Sequence, residues 1–385
     1  MTPWIVGILL ALLAGGRWLA LLNFGRLMRR VVSPQAGPVN GPRVSVCVPA
    51  RDEERVIGRL LQALSAQDWP NLEILVVDDH STDTTGAIIE RVAASDPRVR
   101  RIVPPPLPAG WIGKNHALHV ASEAATGELL LFVDADTVHH PQAVSTAVAE
   151  LADADVLVML SGQELGSWAE RVISPFFWSL ILPAIHVEKA EDAARPNEAM
   201  GNGQFAMFRA VAYRAAGGHA VIHDVVVEDV SLVRRLKASG ASYRIRVGGS
   251  LTQTRMYHSF TEVWRGFSKN VAVIRPEHRV GDTAVTLGLM ALIALAELGP
   301  WLAFAAGYLW IGLVHLGALV WLRSAILRRM CTEPGGGPVR SPWLWACAQP
   351  VGAVLGLAIF ANAVRLQWTG GGEWKGRGIG GGRPL

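Results

Sequence analysis

Charge is scarce in this chain. Of its 385 residues, 18% are Asp, Glu, Lys or Arg and 50% are hydrophobic, with a mean hydropathy of +0.28. A soluble domain usually carries about 25% charged residues. The deficit excludes a disordered or fibrous chain and points to membrane segments. Cysteine is scarce too. Cys47, Cys331 and Cys347 are odd in number, and no Cys-x-x-Cys or Cys/His metal spacing occurs. A disulfide framework is thereby excluded, and the three read as free thiols of a cytosolic or intramembrane protein. Tyrosine is rare, with four against fourteen tryptophans. Trp301, Trp310, Trp321, Trp343, Trp345 and Trp368 fall in or near hydrophobic runs, as interfacial anchors do. No internal repeat is visible. The formal charge of +4 is a local excess beside the apolar runs, so it does not argue for a nucleic-acid partner.

What the chain has in quantity is apolar sequence. Residues 4–24 carry Arg17 as their only charge. A bilayer crossing takes about 20 apolar residues, so this run predicts an anchor, with Arg17 snorkelling toward the head groups. The basic cluster Arg26, Arg29 and Arg30 follows the run, which favours an anchor with a cytoplasmic downstream domain over a cleaved signal peptide. Residues 284–322 hold Glu297 as their only formal charge and predict two crossings, broken at Gly299-Pro300. Residues 343–364 form another uncharged run, and Arg323, Arg328, Arg329 and Arg340 between the runs prefer the cytoplasm. One crossing per run would put both termini outside, with the basic tail (Lys375, Arg377, Arg383) on the disfavoured face. A re-entrant or interfacial run is the alternative. The expected organisation is an anchor at 1–24, a basic linker at 25–42, a catalytic domain at 43–280 and a membrane region at 281–385. The expectation is a multi-pass protein of the inner (plasma) membrane with the 43–280 domain in the cytoplasm.

Between the anchors the sequence reads as an α/β domain. Residues 43–49 form a short β-branched run ending at a proline, a buried strand. Residues 50–67 follow with Val56, Leu60, Leu61 and Leu64 on one helical face. Residues 72–79 predict a second strand, 83–95 a helix capped by Asp83, and 128–136 a third strand ending in Asp-x-Asp. Strands alternating with helices imply a mostly parallel sheet flanked by helices. Ligands in such sheets bind beyond the carboxyl ends of the strands, where both acidic clusters fall.

Four short stretches carry chemistry. Asp134 and Asp136, two apart in an extended chain, point to one side. Close carboxylates repel unless a cation joins them, and oxygen ligands suit Mg2+ or Mn2+ bridging a diphosphate. Asp78 and Asp79 exceed what capping the next helix requires. Lys114, in the Gly-Trp-Ile-Gly-Lys stretch 110–114, is a point charge suited to phosphate, although the stretch is not a Walker A motif. Glu228 and Asp229 follow an apolar run, and either a general base for a hydroxyl acceptor or a helix cap explains them. His139-His140 lacks a complete zinc ligand set.

Together these pieces resemble a known family. VSVCVPARDEERVI (44–57), LEILVVDDHSTD (72–83), GWIGKNHALHVASEAATGELLLFVDAD (110–136) and VVVEDVSL (225–232) stand in the order and spacing of the family-2 glycosyltransferases. The GWIGK block, the terminal hydrophobic segments, residues 201–219 and 255–270 and the tail WKGR (374–377) resemble the membrane branch that glycosylates carotenoids and hopanoids. The resemblance implies a GT-A fold. It implies that Pro49, Ala50, Arg51 and Glu53 line a nucleotide pocket. Asp79 would bond the base, uracil by expectation, and Lys114 would lie near the diphosphate or donor sugar. Asp136 would ligate the metal, with Asp134 facing ribose, sugar or metal. Asp229 would be the catalytic base. The family often carries Asn where this chain has His119. The Gln-x-x-Arg-Trp of processive synthases is replaced by Gln253-Thr254-Arg255-Met256-Tyr257, so a single transfer is expected.

The function expected is inverting, metal-dependent transfer of a hexose from a nucleotide sugar, UDP-linked by expectation, to a lipid such as an isoprenoid alcohol or acid. A polyprenyl phosphate, diacylglycerol or ceramide acceptor, a processive polysaccharide synthase and a non-catalytic membrane scaffold are the alternatives.

Overall fold

The computed structural model describes residues 3–36, 41–273, 280–369, 373–374 and 377–378. The side chains of the basic tail, Lys375, Arg377 and Arg383, and of Trp368 lie outside the described residues. Along the chain, helix α1 spans Pro3–Met28, strand β1 Val44–Ala50, α2 Ile57–Ser65 and β2 Leu72–Asp78. Then come α3 (Thr85–Ser95), β3 (Val99–Ile102), α4 (Gly113–Ala124), β4 (Leu129–Phe132), β5 (Thr137–His139) and α5 (Ala143–Leu151). The middle of the chain gives β6 (Val156–Glu164), α6 (Trp168–Ile181), α7 (Val187–Glu191), β7 (Ala206–Arg209), α8 (Ala210–Ala215), α9 (Glu228–Ala238) and β8 (Tyr243–Thr254). The remainder is mostly helical, with α10 (Phe260–Val273), α11 (Val280–Ala305), α12 (Leu309–Met330), α13 (Pro342–Cys347) and α14 (Gln349–Thr369), and with short strands at Cys331–Thr332, Glu373–Trp374 and Arg377–Gly378.

Two compact units result. The α/β body comprises Arg30–Gln163 and Val187–Met256 together with Glu373–Leu385. Its strands run in the order β3-β2-β1-β4-β7-β6-β8-β5. The pairings β1–β2, β2–β3, β1–β4 and β6–β8 are parallel, whereas β4–β7, β6–β7 and β5–β8 are antiparallel. The fold is thus the α/β arrangement expected, with a parallel half built by β-α-β units and a mixed half. Apolar residues fill β1, β2 and β4, which are buried on both faces. On α2 the buried face is Ile57, Leu60, Leu61 and Leu64, the spacing of one helical stripe. A polar clasp fixes the amino end of the parallel half. Glu73 accepts from Ser45 Oγ at 2.5 Å and from Thr126 N and Oγ1 at 2.8 Å each. Burial alone would raise its carboxyl; these bonds and Arg43 outweigh that and hold it below the usual range.

The second unit comprises Met1–Arg29, Glu164–His186 and Tyr257–Gly372. Helices α6 and α10 therefore cluster with the apolar helices. Three helical stretches, Trp4–Met28, Leu309–Met330 and Gln349–Leu366, are long and apolar enough to cross a membrane, and Met290–Ala305 is a shorter apolar helix. A small core of Ile173, Phe176, Phe177, Val263, Phe267 and Ile359 holds this unit, with the Phe177 and Phe267 rings stacked at 4.0 Å. Trp4, Trp310, Trp321 and Trp343 are exposed, the placement expected of interfacial anchors.

Two expectations for this unit need correction. The break between the two predicted crossings does not fall at Gly299-Pro300, because α11 runs on through Pro300 to Ala305. Gly299 is a packing residue: a Cβ there would stand 2.5 Å from the His315 ring of α12. The turn comes at Gly307, whose φ of +83° only glycine adopts readily. Arg17 does not snorkel either. It is 7% exposed and pairs with Glu297 of α11.

Candidate active site

The acidic residues gather at the carboxyl ends of β1, β2 and β4. Beyond β1, Pro49 and Ala50 lead into a loop of Arg51, Asp52, Glu53 and Glu54. Beyond β2, Asp78 and Asp79 lead into His80–Thr84. The two loops brace each other. Asp52 N donates to Ser81 Oγ at 3.0 Å, Glu53 N to Thr85 Oγ1 at 2.8 Å and Glu54 N to Asp83 Oδ2 at 3.1 Å. In return, Thr82 N donates to Asp52 Oδ1 at 2.7 Å and Thr84 Oγ1 to Glu54 Oε2 at 2.8 Å. Asp83 also accepts from Thr85 N at 2.9 Å, a turn bond one residue ahead of the helix cap; the cap itself is Thr84, not Asp83 as expected, and its side chain makes no capping bond. The paired acids then divide. Asp78 Oδ2 is taken by Arg101 at 2.6 Å, a structural tie to β3. Asp79, 3% exposed, meets Arg51, whose Nη1 donates to its carbonyl at 2.8 Å and lies 3.5 Å from Oδ2.

The Asp-x-Asp pair is not the end of a strand. β4 stops at Phe132, and Ala135 and Asp136 form a turn into β5. The same-side argument from an extended chain therefore fails, and the turn sets the two carboxylates in different surroundings. Asp134 Oδ1 lies 2.7 Å from Lys114 Nζ, on the first turn of α4. The same ammonium lies 2.7 Å from Glu228 Oε1, at the start of α9. Burial would lower Lys114; the two carboxylates outweigh it and hold the amine well above its usual value. Among the described residues Asp136 has no such ion pair, and its Oδ1 is buried without a hydrogen-bond partner. Burial, then the charges of Asp134 and Glu53, raise its carboxyl to about 7.

Glu228 and Asp229 also divide. Burial raises Glu228, and its Oε1 is held by Lys114. Asp229 accepts Gly203 N at 3.0 Å on Oδ2 and Val230 N at 2.8 Å on Oδ1, so its carboxylate is fixed by backbone. Gly203 is a site residue that reasoning from the sequence did not single out. A Cβ there would lie 3.1 Å from Lys114 Nζ and 3.3 Å from Asp134 Oδ2. Gly201 is equally tight, since its Cβ would fall 2.3 Å from Asp229 O. The visible signal was the Gly-Asn-Gly run 201–203. Its meaning lies in a close approach that only the fold reveals.

Around this centre the histidines serve packing. The Trp111 ring is surrounded by His116, His119 and His223 at centroid distances of 5.5, 5.2 and 5.3 Å. His139 bonds Thr137 Oγ1 at 2.9 Å and packs on Phe205, and burial lowers it to about 3. Among the described residues no three His, Cys, Asp or Glu side chains converge as a ready-made ligand set. The fit to a divalent cation rests instead on the open, buried oxygen of Asp136 beside Asp134. Hard oxygen donors of this kind suit Mg2+ or Mn2+, with the rest of the shell supplied from outside the chain, as a diphosphate does.

A lysine-centred acidic site lies beyond the parallel strands of the α/β body, where such sheets bind their ligands. Comparison with known proteins shows what the chain resembles. Residues 45–216 match the model described as glycosyl transferase family 2. A 4,4'-diaponeurosporenoate glycosyltransferase of Staphylococcus aureus is 26% identical over 237 residues, 60% of this chain and 62% of the relative. The chain thus spans about three fifths of that curated relative. A probable glycosyltransferase of Bacillus subtilis, YdaM, is 35% identical over 105 residues, 27% of this chain and 25% of the relative. Among solved structures, a Pyrobaculum calidifontis mannosyltransferase in complex with GDP-Man and Mn2+ aligns at 20% identity and a TM-score of 0.49, covering 93% of this chain and 99% of the other. The S. aureus TarS 1-349 complex with UDP-GlcNAc aligns at 18% and 0.40, covering 84% and 92%. Over residues 45–216 the α/β body is thus similar to the family-2 glycosyltransferases.

Proposed function

We propose that the chain transfers a hexose, with inversion, from a nucleotide sugar to a lipid acceptor at a membrane surface. The observation that carries this reading is the single site where Asp136 keeps an open buried oxygen beside the Lys114–Asp134–Glu228 cluster and the backbone-fixed Asp229. In this reading the braced loops of Pro49–Glu53 and Asp79 hold the nucleotide, and UDP is the donor nucleotide proposed. Lys114 offsets charge on the diphosphate or orients the donor sugar. Asp136 and Asp134 would hold a divalent cation, which when bound supplies Lewis-acid neutralisation of the departing diphosphate. Asp229 takes the proton of the acceptor hydroxyl as its oxygen bonds to the anomeric carbon. The bond from that carbon to the diphosphate breaks, and the diphosphate leaves with the electron pair. For a carboxylate acceptor no proton needs removal, and the base role of Asp229 is confined to hydroxyl acceptors.

The apolar helices support the acceptor class, because a site anchored to a bilayer meets amphipathic alcohols and acids. The S. aureus relative, named for 4,4'-diaponeurosporenoate, supports an isoprenoid acid within that class. The basic flank after α1 supports a cytoplasmic catalytic body. The proposed division of labour follows the sequence boundaries, with the catalytic domain over 43–280 and membrane segments on either side.

The test is a transfer assay in detergent-solubilised membranes with labelled UDP-glucose and Mg2+ or Mn2+, followed by organic extraction and mass spectrometry. Label in a discrete lipid band is the expected result. Label only in high-mass aqueous material would overturn it in favour of a polymer synthase. No label from any of a panel of nucleotide sugars would favour a scaffold.

A further inference from the structure

Helix α6, the loop after α12, and helix α13 line a cavity of about 640 Å3, its wall including Arg171, Glu333, Arg340, Leu344 and Trp345. That volume falls within the roughly 300–1,000 Å3 of small-ligand sites. Arg171 comes from α6. Its Nη2 lies 3.4 Å from Glu333 Oε1, and its guanidinium carbon 5.3 Å from the centroid of the Trp345 ring. Arg340 Nε lies 3.7 Å from Glu333 Oε2, and the Arg340 side chain is 90% exposed. A tight guanidinium–carboxylate bond measures about 2.7–2.9 Å, so both contacts are loose. Two guanidiniums, with five donors each, share one carboxylate and leave a net positive charge.

The site is held in shape. Glu333 N donates to Gly337 O at 2.7 Å and Gly336 N to Glu333 O at 2.9 Å, closing the loop that carries the carboxylate. Its wall also carries apolar surface, with Leu344 52% exposed. The segment joins two helices apolar enough to cross a membrane, Leu309–Met330 and Gln349–Leu366. With those helices in a bilayer, it sits at head-group level, where basic pockets between helices meet lipid phosphates. A free phosphate would need the arginines but not the apolar surface.

We infer that this cavity binds the phosphate-bearing head group of an anionic phospholipid. Arg171 and Arg340 take the phosphate, and Leu344 lies along the upper acyl chains. Glu333 competes for the same guanidiniums and so limits the affinity. The inference rests on the membrane placement of the helices and is separate from the transfer reaction.

The test uses the full chain purified in detergent, with a short-chain phosphatidylglycerol, the matched phosphatidylcholine and glycerol phosphate titrated by native mass spectrometry. Phosphatidylglycerol is expected to bind at least about fivefold more tightly than phosphatidylcholine, and Arg340→Gln to weaken it about fivefold. Arg340 is exposed, so this variant keeps the fold even if Arg171→Gln does not. Glu333→Gln is expected to tighten binding by freeing both guanidiniums. Equal binding of the two lipids, or an unchanged affinity in Arg340→Gln, would overturn the proposal. Glycerol phosphate binding as tightly as the lipid would overturn the lipid assignment in favour of a phosphate site.

Discussion

Two buried carboxylates, one in each unit, meet opposite surroundings. Glu297 lies among the apolar helices with both oxygens filled: Oε1 by Arg17 of α1, and Oε2 by Arg323 of α12 at 2.8 Å and Gln349 of α14 at 2.9 Å. Asp136 lies in the α/β body with Oδ1 buried and unbonded. An ionisable group within a membrane segment is by default a functional candidate. Here saturation argues the reverse. Glu297 ties three helices that are far apart in sequence, and a buried ionic group so filled has no capacity left for a ligand. The open oxygen of Asp136, beside a lysine already shared by two carboxylates, is a group that awaits a partner.

That contrast can be broken or sharpened, from the largest effect downward. Asp229→Asn removes the proposed base and is expected to lower the transfer rate by at least about 10³-fold, read as labelled lipid per folded molecule. Dialysis against EDTA should abolish transfer, and added Mg2+ or Mn2+ should restore it; full activity after dialysis would remove the cation from the account. Lys114→Met leaves Asp134 and Glu228 without their shared cation and should cost about 10²-fold in kcat/KM. Gly203→Ala pushes a methyl toward Lys114 Nζ and Asp134 Oδ2, and a loss of about tenfold with an unchanged melting temperature is expected, since roughly 1.4 kcal/mol of misplacement suffices.

The smallest effect comes from an ion pair outside both clusters. The Arg98 hydrogen bonds lower Asp96 to about 2. Its folded-state value lies below the unfolded one, so its contribution is present above pH ~4 and lost as pH falls through ~2. Asp96→Asn should therefore cost about 1 kcal/mol or less near pH 7 and nothing near pH ~1, read from thermal unfolding of the two proteins at each pH.

Local pattern carried much of this into view from the sequence. Strands β1 and β2 and the buried stripe of α2 obey periods that a short window displays. The acids at 78–79, 134–136 and 228–229 were legible as clusters because each ends an apolar run. Their division of labour was not. Asp78 is set apart by Arg101 and Asp79 by Arg51, and Asp134 is set apart from Asp136 by its direct contact with Lys114, partners supplied by other elements. The turn after Phe132 was hidden because Val133 and Ala135 continue the apolar text of β4. Strand β6 was missed for the opposite reason, since its Ser161–Glu164 end is polar yet buried. Arg17 looked like a flaw in an anchor because its carboxylate stands 280 residues away. Gly299-Pro300 looked like a turn because a glycine that admits a neighbouring helix reads the same as one that bends the chain.

The most direct measurement pairs Asp136→Ala with Glu297→Gln in the full chain, taking melting temperature and transfer per folded molecule for each. The account predicts that Asp136→Ala loses transfer while its melting temperature holds, whereas Glu297→Gln melts earlier, by the equivalent of about 3 kcal/mol for a broken buried pair, and keeps its transfer per folded molecule. Transfer that survives in Asp136→Ala, or vanishes in a fully folded Glu297→Gln, would contradict it.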